Sequence, residues 1–173
     1  MSNDRDNRAA LFAMFDALGI SHTTHEHAPV FTVQESASIK GDLPGGHTKN
    51  LFLKDKTGAL FLVCALGETQ IAVNKLHREL GCKRLSFGKP DLLLGYLGVT
   101  PGSVTLYAVM NDTDAAVTLV IDKALIAHDL VNFHPMKNDA TTAISSQDMV
   151  KFAEATEHKP VIIDFAALAA QPS

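Results

Sequence analysis

Apolar residues recur at helical spacing near the start of the chain. Leu11, Phe15 and Leu18 fall on one face of a helix that begins near Asp6, and Gly19 is placed to end it. Similar spacing, capping residues and a proline in a first turn predict helices further along. These predicted helices span residues 32–39, 69–80, 90–97 and 145–156.

Runs of apolar and β-branched residues between these helices predict strands. The clearest pair spans residues 48–54 and 60–65, with a hairpin turn at 55–58. Shorter strands are predicted at residues 20–27, 84–87, 104–110, 116–121, 129–133, 140–144 and 161–165. Because strands and helices are interspersed with both hairpins and longer connections, we predict one mixed α/β (α+β) domain over residues 1–173. A doubly wound parallel sheet is less favoured.

The composition is typical of an ordinary globular protein. At 173 residues, with 46% hydrophobic and 20% charged residues, the chain is long enough to bury a full core. The net charge of -4 argues against a protein that coats nucleic acid, but it allows a local basic patch. No DNA partner is therefore expected.

The cysteines and the N-terminus predict a cytoplasmic protein. Cys64 and Cys82 form neither a disulfide framework nor a CxxC motif, which fits a reducing compartment. The N-terminus is charged and has no apolar signal segment. No apolar run approaches the roughly 20 residues that span a bilayer, so no membrane association is expected.

Lys49 is the sharpest candidate for chemistry. It follows a Gly-rich loop and enters an apolar strand, so its ammonium is expected at a strand edge beside flexible backbone. There it could clamp a phosphate or a carboxylate, since lysine acts as a compact point charge. Position alone favours the simpler interpretation of a solvated edge lysine that discourages sheet pairing.

Two further segments carry polar groups beside apolar runs. The loop at residues 98–102 can expose backbone N–H groups to a carbonyl oxygen or an anion, or can be a simple connecting turn. His134 can hydrogen-bond a substrate or relay a proton, or can be satisfied locally by the backbone. Thr141, a few residues later, can supply a hydrogen bond or simply start a strand.

Other motifs have little support. His22, His25 and His27 lack the convergent spacing of a metal site, so no metal is expected. No GxGxxG, Walker or GxSxG motif occurs, so neither a nucleotide cofactor nor serine-hydrolase chemistry is expected. A cluster of cations forms either a solvated helix face or a modest contact surface for a phosphate backbone: Lys75, Arg78, Lys83, Arg84 and Lys89.

Three segments, in order along the chain, resemble a known family. They are HTKNLFLKD at residues 47–55, GVTPGSV at 98–104 and NFHPMKNDATT at 132–142. Through these segments, and over nearly its whole length, the chain resembles the free-standing members of the YbaK/prolyl-tRNA synthetase-associated editing domain family. The resemblance implies a mixed, partly barrel-like β-sheet flanked by helices. It also implies a deacylase that hydrolyses the ester of mischarged tRNA(Pro), with Ala-tRNA(Pro) as the first candidate substrate.

The resemblance further implies roles for individual residues. Lys49 would be the key catalytic-site residue near the terminal adenosine of the tRNA, with Gly102 and His134 beside the same pocket. The implied substrate-binding residues are Asn50, Gly98, Thr100, Pro101, Phe133 and Thr141. The implied partners are the aminoacyl acceptor end of tRNA(Pro) and, as a candidate, prolyl-tRNA synthetase; no cofactor is implied.

Alternative functions stay open at this point. The same chemistry on Cys-tRNA(Pro) would differ in pocket shape, which Leu51, Phe52 and Phe133 are candidates to set. A non-catalytic nucleic-acid-binding module would need a basic face with stacking aromatics, and the net negative charge weighs against one. A small-anion-binding module would use Lys49 and the same loop but would show no turnover.

Overall fold

The computed structural model describes residues 4–29 and 43–172 of the chain. Its helices are α1 (Asp4–Leu18), α2 (Val73–Leu80), α3 (Pro90–Leu97), α4 (Lys123–Ile126), α5 (Ser146–Ala155) and α6 (Phe165–Ala169), with a 3₁₀ helix at Leu106–Asn111. Its strands are β1 (Thr23–Glu26), β2 (Gly46–Asp55), β3 (Leu60–Leu66), β4 (Leu85–Phe87), β5 (Val117–Asp122), β6 (Leu130–Phe133), β7 (Ala140–Ser145) and β8 (Val161–Ile163). Within these ranges no helix combines the length and the apolar character needed to cross a membrane.

The eight strands form one mixed sheet in the order β1-β7-β6-β2-β3-β5-β8, with β4 paired to β2. The β1–β7, β6–β7, β2–β3 and β2–β4 pairs are antiparallel. The β2–β6, β3–β5 and β5–β8 pairs are parallel. The predicted mixed α/β fold is therefore confirmed. Because β1 and β8 stand at opposite ends of the order, the sheet is open and not a closed barrel.

The segment at residues 104–110, predicted as a strand, forms the 3₁₀ helix instead. Tyr107 is fully buried, and its hydroxyl donates to the Thr142 carbonyl oxygen at 2.8 Å. Thr105 caps the turn by accepting from the Tyr107 N–H at 3.3 Å. Local propensity favours a strand here. The hydroxyl of a buried tyrosine needs an acceptor, however, and the helical turn places the Tyr107 hydroxyl next to the Thr142 carbonyl oxygen.

Other differences from the predicted elements are small. The helix predicted from residue 69 begins at Val73, because the Thr69 hydroxyl donates to Asp122 Oδ2 at 2.6 Å and does not cap a helix. The predicted helix at residues 32–39 lies outside the described residues. The sequence pattern also does not predict the short helices α4 and α6.

The sheet is covered on both faces, which explains the continuous apolar run of β3. All seven residues of this strand are buried. Leu62 and Cys64 belong to the larger core cluster, together with Phe15 of α1. Val63 belongs to a second cluster, together with Leu76 of α2. Successive residues of a strand point to opposite faces, so a strand buried on both sides shows no polar alternation.

One edge of β2 is shared by two strands and is open between them. At its start β2 pairs with β6, and at residues 53–55 it pairs with β4. Next to β4, the Gly88 N–H donates to the Phe52 carbonyl oxygen at 2.8 Å. In the described chain no strand pairs with this edge over residues 48–51. We call this gap the sheet opening.

Asp55 ties together the segments at the end of β2. Its Oδ1 accepts from the Thr57 hydroxyl at 2.7 Å and from the Ala59 N–H at 3.0 Å. Its Oδ2 accepts from the Lys83 N–H at 3.1 Å. The Thr57 hydroxyl and these backbone donors lower the pKa of Asp55 to about 2, although burial opposes the shift. One carboxylate thus closes the β2–β3 hairpin and tethers the segment that leads into β4.

We expect the Asp55→Asn variant to lose part of the acid dependence of wild-type stability. The folded-state pKa of about 2 lies below the unfolded value of 3.8. The carboxylate therefore stabilises the fold above about pH 4, and this contribution disappears as the pH falls toward 2. Urea unfolding across this range should give a variant that is less stable near neutral pH and changes less on acidification. The exposed control Asp114→Asn should follow the wild type, and identical curves for all three proteins would contradict the assignment.

Candidate active site at the sheet opening

A small pocket of about 170 Å³ lies at the sheet opening. It has walls from β2, from the loop after α3 and from the residue that follows β6: Thr48, Lys49, Asn50, Gly102, Val104 and His134. Four of these wall residues were singled out in the sequence, namely Lys49, Asn50, Gly102 and His134. The fold therefore brings three distant segments together around one pocket. Thr48 and Val104 also line it, because they lie next to Lys49 and two residues after Gly102.

The pocket follows the edge of β2 and not one face of the sheet. Successive side chains of a strand point to opposite faces, and the wall residues Lys49 and Asn50 are neighbours. The Phe52 carbonyl points toward the open edge, where it accepts from Gly88. Backbone groups of alternate residues point the same way along a strand, so the N–H and C=O of Asn50 face the sheet opening. A ligand there can meet backbone donors and acceptors as well as side chains.

Lys49 provides a cation at the pocket. Its side chain is half-buried, and its strand position is fixed by pairing with Ala65 of β3. Within the described ranges its ammonium has no hydrogen bond and no carboxylate partner. A lysine without an internal counter-charge keeps its full charge available to an anionic ligand.

Asn50 holds an unsatisfied polar atom. Its Oδ1 is buried and has no hydrogen-bond partner in the part of the chain that the structure describes. A buried acceptor without a donor costs about 1–3 kcal/mol. By contrast, Asn132 is buried in β6 and donates from Nδ2 to the carbonyl oxygens of Pro44 at 2.9 Å and Gly46 at 3.3 Å. The unsatisfied Asn50 acceptor therefore offers a place for a donor brought by a ligand.

Gly98 fixes the start of the loop that contributes Gly102. Gly98 ends α3 with a φ of +69°, and its N–H donates to the Leu94 carbonyl oxygen at 3.0 Å. A Cβ at this position would lie 2.9 Å from Asn111 Nδ2, so a larger residue would be strained and crowded. The Asn7 amide also donates to the Gly98 carbonyl oxygen at 3.1 Å, which links the loop to α1.

Ser103 fixes the other end of this loop. Its N–H donates to the Thr100 carbonyl oxygen at 3.0 Å, and its hydroxyl accepts from the Asn138 N–H at 3.1 Å. Gly102 is thereby held at the pocket, and its N–H has no acceptor among the described residues. Thr100 and Pro101 are exposed at the loop tip and, like Gly98, do not form the pocket wall.

His134 is oriented by the main chain. Its Nδ1 lies 2.9 Å from the Ala140 carbonyl oxygen. Because a carbonyl oxygen only accepts, Nδ1 is the donor in this hydrogen bond. The imidazole therefore lines the pocket in a defined orientation.

A salt bridge from α1 fixes the loop that follows His134. Arg8 Nη2 lies 2.5 Å from Asp139 Oδ1, and Arg8 Nε donates to the Pro135 carbonyl oxygen at 3.3 Å. Burial opposes ionisation of this carboxyl, but the Arg8 hydrogen bond and charge lower the pKa of Asp139. The two partners are 131 residues apart, and no local motif signals the contact.

The remaining predicted substrate-binding residues, Phe133 and Thr141, are not among the wall residues of the pocket. Phe133 is buried in the core, where its ring meets Tyr107 edge-on with centroids 5.2 Å apart. Thr141 Oγ1 lies 2.9 Å from His27 Nε2. The three side chains suggested to set pocket shape are core residues or pack against the core: Leu51, Phe52 and Phe133.

The N-terminal histidines are engaged in other contacts. His22 stacks on Phe12 with ring centroids 5.1 Å apart and lies 3.3 Å from Asp16 Oδ1. His27 contacts His134 edge-on, with centroids 6.4 Å apart. Among the described residues, no group of three His, Cys, Asp or Glu side chains is placed to hold a metal ion.

Two larger cavities lie away from the sheet opening. One, of about 660 Å³, lies beside Asp55 and Cys82. Burial, with the charge of Asp55 adding, raises the pKa of the Cys82 thiol, so this cysteine is not an activated nucleophile near neutral pH. The other, of about 550 Å³, lies beside Asp122 and Asp164, whose carboxylates already cap α4 and α6.

Comparison with known proteins finds relatives over most of the chain. A family model described as the aminoacyl-tRNA editing domain matches residues 27–152. Prolyl-tRNA synthetase associated domain-containing protein 1 of Danio rerio is 41% identical over 162 residues, which cover 92% of this chain and 88% of that protein. Prolyl-tRNA editing protein ProX of Acetoanaerobium sticklandii is 37% identical over 153 residues, which cover 88% of this chain and 93% of that protein.

A solved structure also shares the fold. A crystal structure described as a candidate trans-editing enzyme for prolyl-tRNA synthetase matches with a TM-score of 0.66 and 16% identity. The match covers 91% of this chain and 95% of that chain. At this level of identity the likeness concerns the fold alone, and it agrees with the mixed α/β architecture described above.

We expect the Asn50→Leu variant to be at least as stable as the wild type. The substitution is close in size and removes a buried acceptor that has no partner, so the free energy of unfolding should stay unchanged or rise by about 1 kcal/mol. The matched control is Asn132→Leu, which leaves the Pro44 and Gly46 carbonyls without their donor and should cost about 1–3 kcal/mol. Urea unfolding measures both, and equal losses in the two variants would contradict the unsatisfied state of Asn50.

Proposed function

The chain belongs to the aminoacyl-tRNA editing domain family, and we propose that it hydrolyses the ester bond of mischarged tRNA(Pro), with Ala-tRNA(Pro) as its substrate. The observation that carries the proposal is the pocket where Lys49, Asn50, Gly102 and His134 meet. Its described wall residues offer one cation, one imidazole and backbone donors, and no activated nucleophile. That combination suits a substrate that is already reactive, as an aminoacyl ester is. The relative named as a prolyl-tRNA editing protein supports tRNA(Pro) as the carrier.

Lys49 positions the end of the tRNA in this proposal. Its ammonium has no internal partner in the described chain and binds a phosphate oxygen of the terminal nucleotide. Anchoring the phosphate places the ester carbonyl beside Gly102 and His134. Holding the reactants in attack geometry supplies a large part of the rate enhancement when the ester needs little further activation.

The chemical step is attack of water on the ester carbonyl carbon. The developing oxyanion accepts from the Gly102 N–H, which has no acceptor among the described residues. His134 takes a proton from the water and returns it to the ribose oxygen as the carbon–oxygen bond breaks. The neighbouring ribose hydroxyl can direct the water. The products are the free amino acid and a tRNA with its ribose hydroxyl restored.

Asn50 recognises the amino group of the substrate. Its Oδ1 lacks a donor in the described chain, and the α-ammonium of an aminoacyl group supplies one. The stability lost by leaving this acceptor unpaired in the empty protein is recovered when substrate binds. Amino-acid esters are thereby favoured over other esters.

Pocket size sets the choice among amino acids. The pocket measures about 170 Å³. One methylene changes binding by only about 1–3 kcal/mol, so proline must be excluded by its shape. Alanine presents only a methyl group to Val104, the apolar wall residue. Cys-tRNA(Pro) is the second candidate substrate, because the same apolar wall accepts a sulfur atom.

We expect Lys49→Ala to lower kcat/KM for Ala-tRNA(Pro) by about 100-fold or more, because the phosphate anchor is lost. Release of radiolabelled alanine measures this rate. The matched control is Lys56→Ala, which removes an exposed lysine from the β2–β3 turn and should leave the rate unchanged. Full activity in a folded Lys49→Ala protein would overturn the role of Lys49.

The substrate panel separates the functions that were left open. Pro-tRNA(Pro), Cys-tRNA(Pro) and Ala-tRNA(Ala) are assayed beside Ala-tRNA(Pro). Release from Ala-tRNA(Pro) alone supports the proposal, and release from Cys-tRNA(Pro) instead moves the substrate but keeps the chemistry. Retention of every ester, together with binding of inorganic phosphate that depends on Lys49, would favour an anion-binding module.

We expect His134→Ala to lower the single-turnover rate of hydrolysis by roughly tenfold or more. The loss should be smaller than that of Lys49→Ala, because water and a substrate hydroxyl can replace part of the proton relay. Single-turnover hydrolysis measures the chemical step separately from binding. His134→Gln keeps a polar group of similar reach and should leave substrate affinity near that of the wild type. A wild-type rate in His134→Ala would make this histidine a structural residue.

A further inference from the structure

We propose that residues 83–89, here called the β4 platform, bind the unpaired 3′ nucleotides of the tRNA, with the Phe87 ring stacking on a base. The inference rests on the proposed function, because it extends the binding of the same RNA substrate beyond the pocket. It concerns a surface that the pocket does not include. Three observations carry it: the exposure of Phe87, its place beside the sheet opening, and the cations around it.

Phe87 is a large apolar side chain that the fold leaves in solvent. It is 65% exposed, the largest exposed fraction among the large hydrophobic residues described. Its backbone is nevertheless held in place, since Phe87 pairs with Leu53 and the following Gly88 donates to the Phe52 carbonyl oxygen at 2.8 Å. A Cβ at Gly88 would lie 2.4 Å from the Phe52 ring, so the backbone here packs closely on the core. An exposed ring on a fixed strand is a suitable surface for stacking a base.

Register places Phe87 at the rim of the sheet opening. Phe87 is the last residue of β4, and directly paired residues share a face, so its ring lies on the Leu53 face of β2. Lys49 lies on the same face, because residues separated by an even number point the same way. Four residue steps along β2 join Lys49 to Leu53, which is about 13 Å at roughly 3.3 Å per step, and Phe87 lies beside Leu53 on the neighbouring strand. A run of four stacked nucleotides has three steps of roughly 3.4 Å and so spans about 10 Å, which is comparable to the distance along β2 between Lys49 and the Phe87 rim.

The structure divides the cation cluster of the sequence into two groups. Lys75 Nζ donates to the Ala169 carbonyl oxygen at 3.2 Å, and Arg78 Nη1 donates to the Pro172 carbonyl oxygen at 2.8 Å. These two side chains hold the C-terminal segment. They are therefore structural cations and are not available to a phosphate backbone.

The second group flanks Phe87 in the sequence. Lys83, Arg84 and Lys89 are exposed, and their side chains have no hydrogen bond or ion pair in the described parts of the chain. No acidic residue occurs between Glu79 and Asp91. In a protein of net charge -4 this is a local positive segment. Unpaired cations beside an exposed aromatic ring are the combination that binds single-stranded nucleic acid.

A single exposed aromatic side chain is common and is not evidence of binding. The inference depends on finding Phe87 exposed at the rim together with unpaired cations. An acidic peptide could also meet the cations, but it would leave the position of Phe87 beside the pocket unexplained. A nucleic-acid end that enters the pocket from the β4 side of the sheet opening passes Phe87 at the rim. The overall negative charge confines this contact to a few phosphates.

The test measures binding of uncharged tRNA(Pro) transcript by fluorescence anisotropy, with the intact transcript and with one that ends at its last paired nucleotide. Phe87→Ala should weaken binding of the intact RNA roughly 5- to 150-fold, the range found for removing one stacking aromatic. Phe87→Trp should restore it. Phe87→Ala and the wild type should bind the shortened RNA equally.

The matched control is Ile162→Ala, which truncates another exposed apolar side chain on β8, at one end of the strand order. It should bind the intact RNA like the wild type. The logarithm of the binding constant falls as the logarithm of the salt concentration rises. Arg84→Ala should make this negative slope shallower by about 0.7, the value for one phosphate contact on a single strand. Wild-type affinity of Phe87→Ala for the intact RNA, or an equal loss with the shortened RNA, would overturn the platform.

Because these measurements use uncharged RNA, they separate the platform from the hydrolysis. If the wild type hydrolyses no ester but Phe87→Ala loses binding of the intact RNA, the platform stands and the proposed reaction fails. If the wild type hydrolyses Ala-tRNA(Pro) and Phe87→Ala binds the intact uncharged RNA as the wild type does, the reaction stands and the platform fails.

Discussion

Backbone hydrogen bonding along β2 is the constraint on which the site depends. One edge of this strand pairs in parallel with β6 at its start and antiparallel with β4 at its end. Because the two partners stop short of each other, the backbone between them is left without a strand in the described chain. A backbone group excluded from both protein and water is costly, so such a gap must stay open to solvent or to a ligand. The pocket occupies this gap.

The polar groups around the site differ in how well they are satisfied. Asn132 and Asp55 use their side chains to hold the loops on either side of the opening. Asn50, between them, keeps a buried oxygen without a donor in the described chain. A buried polar network stabilises a fold when every member is paired. The unpaired Asn50 oxygen therefore does not stabilise the empty protein, and its place beside the pocket fits a role in binding.

Positive charge without a carboxylate partner in the described chain occurs near the sheet opening. The chain is acidic overall, yet Lys49 at the opening and the cations that flank β4, Arg84 and Lys89, have no carboxylate partner among the described residues. Arg8, by contrast, is paired with Asp139 and serves the loop behind His134. A few uncompensated cations can guide an anionic ligand to one place without making the whole surface attractive to polyanions.

Local patterns in the sequence were enough to predict α1, the β2–β3 hairpin and the segments that carry Lys49, Gly102 and His134, because periodicity and turn residues act over a few positions. They were not enough to predict the 3₁₀ helix. The conformation of that segment depends on a hydrogen bond from the Tyr107 hydroxyl to an acceptor 35 residues away. Nor do they predict the Arg8–Asp139 contact or the opening itself. Those features depend on which strands become neighbours, and strand pairing is decided by packing across the whole chain, where distant side chains compete for the same buried surface and the same hydrogen bonds.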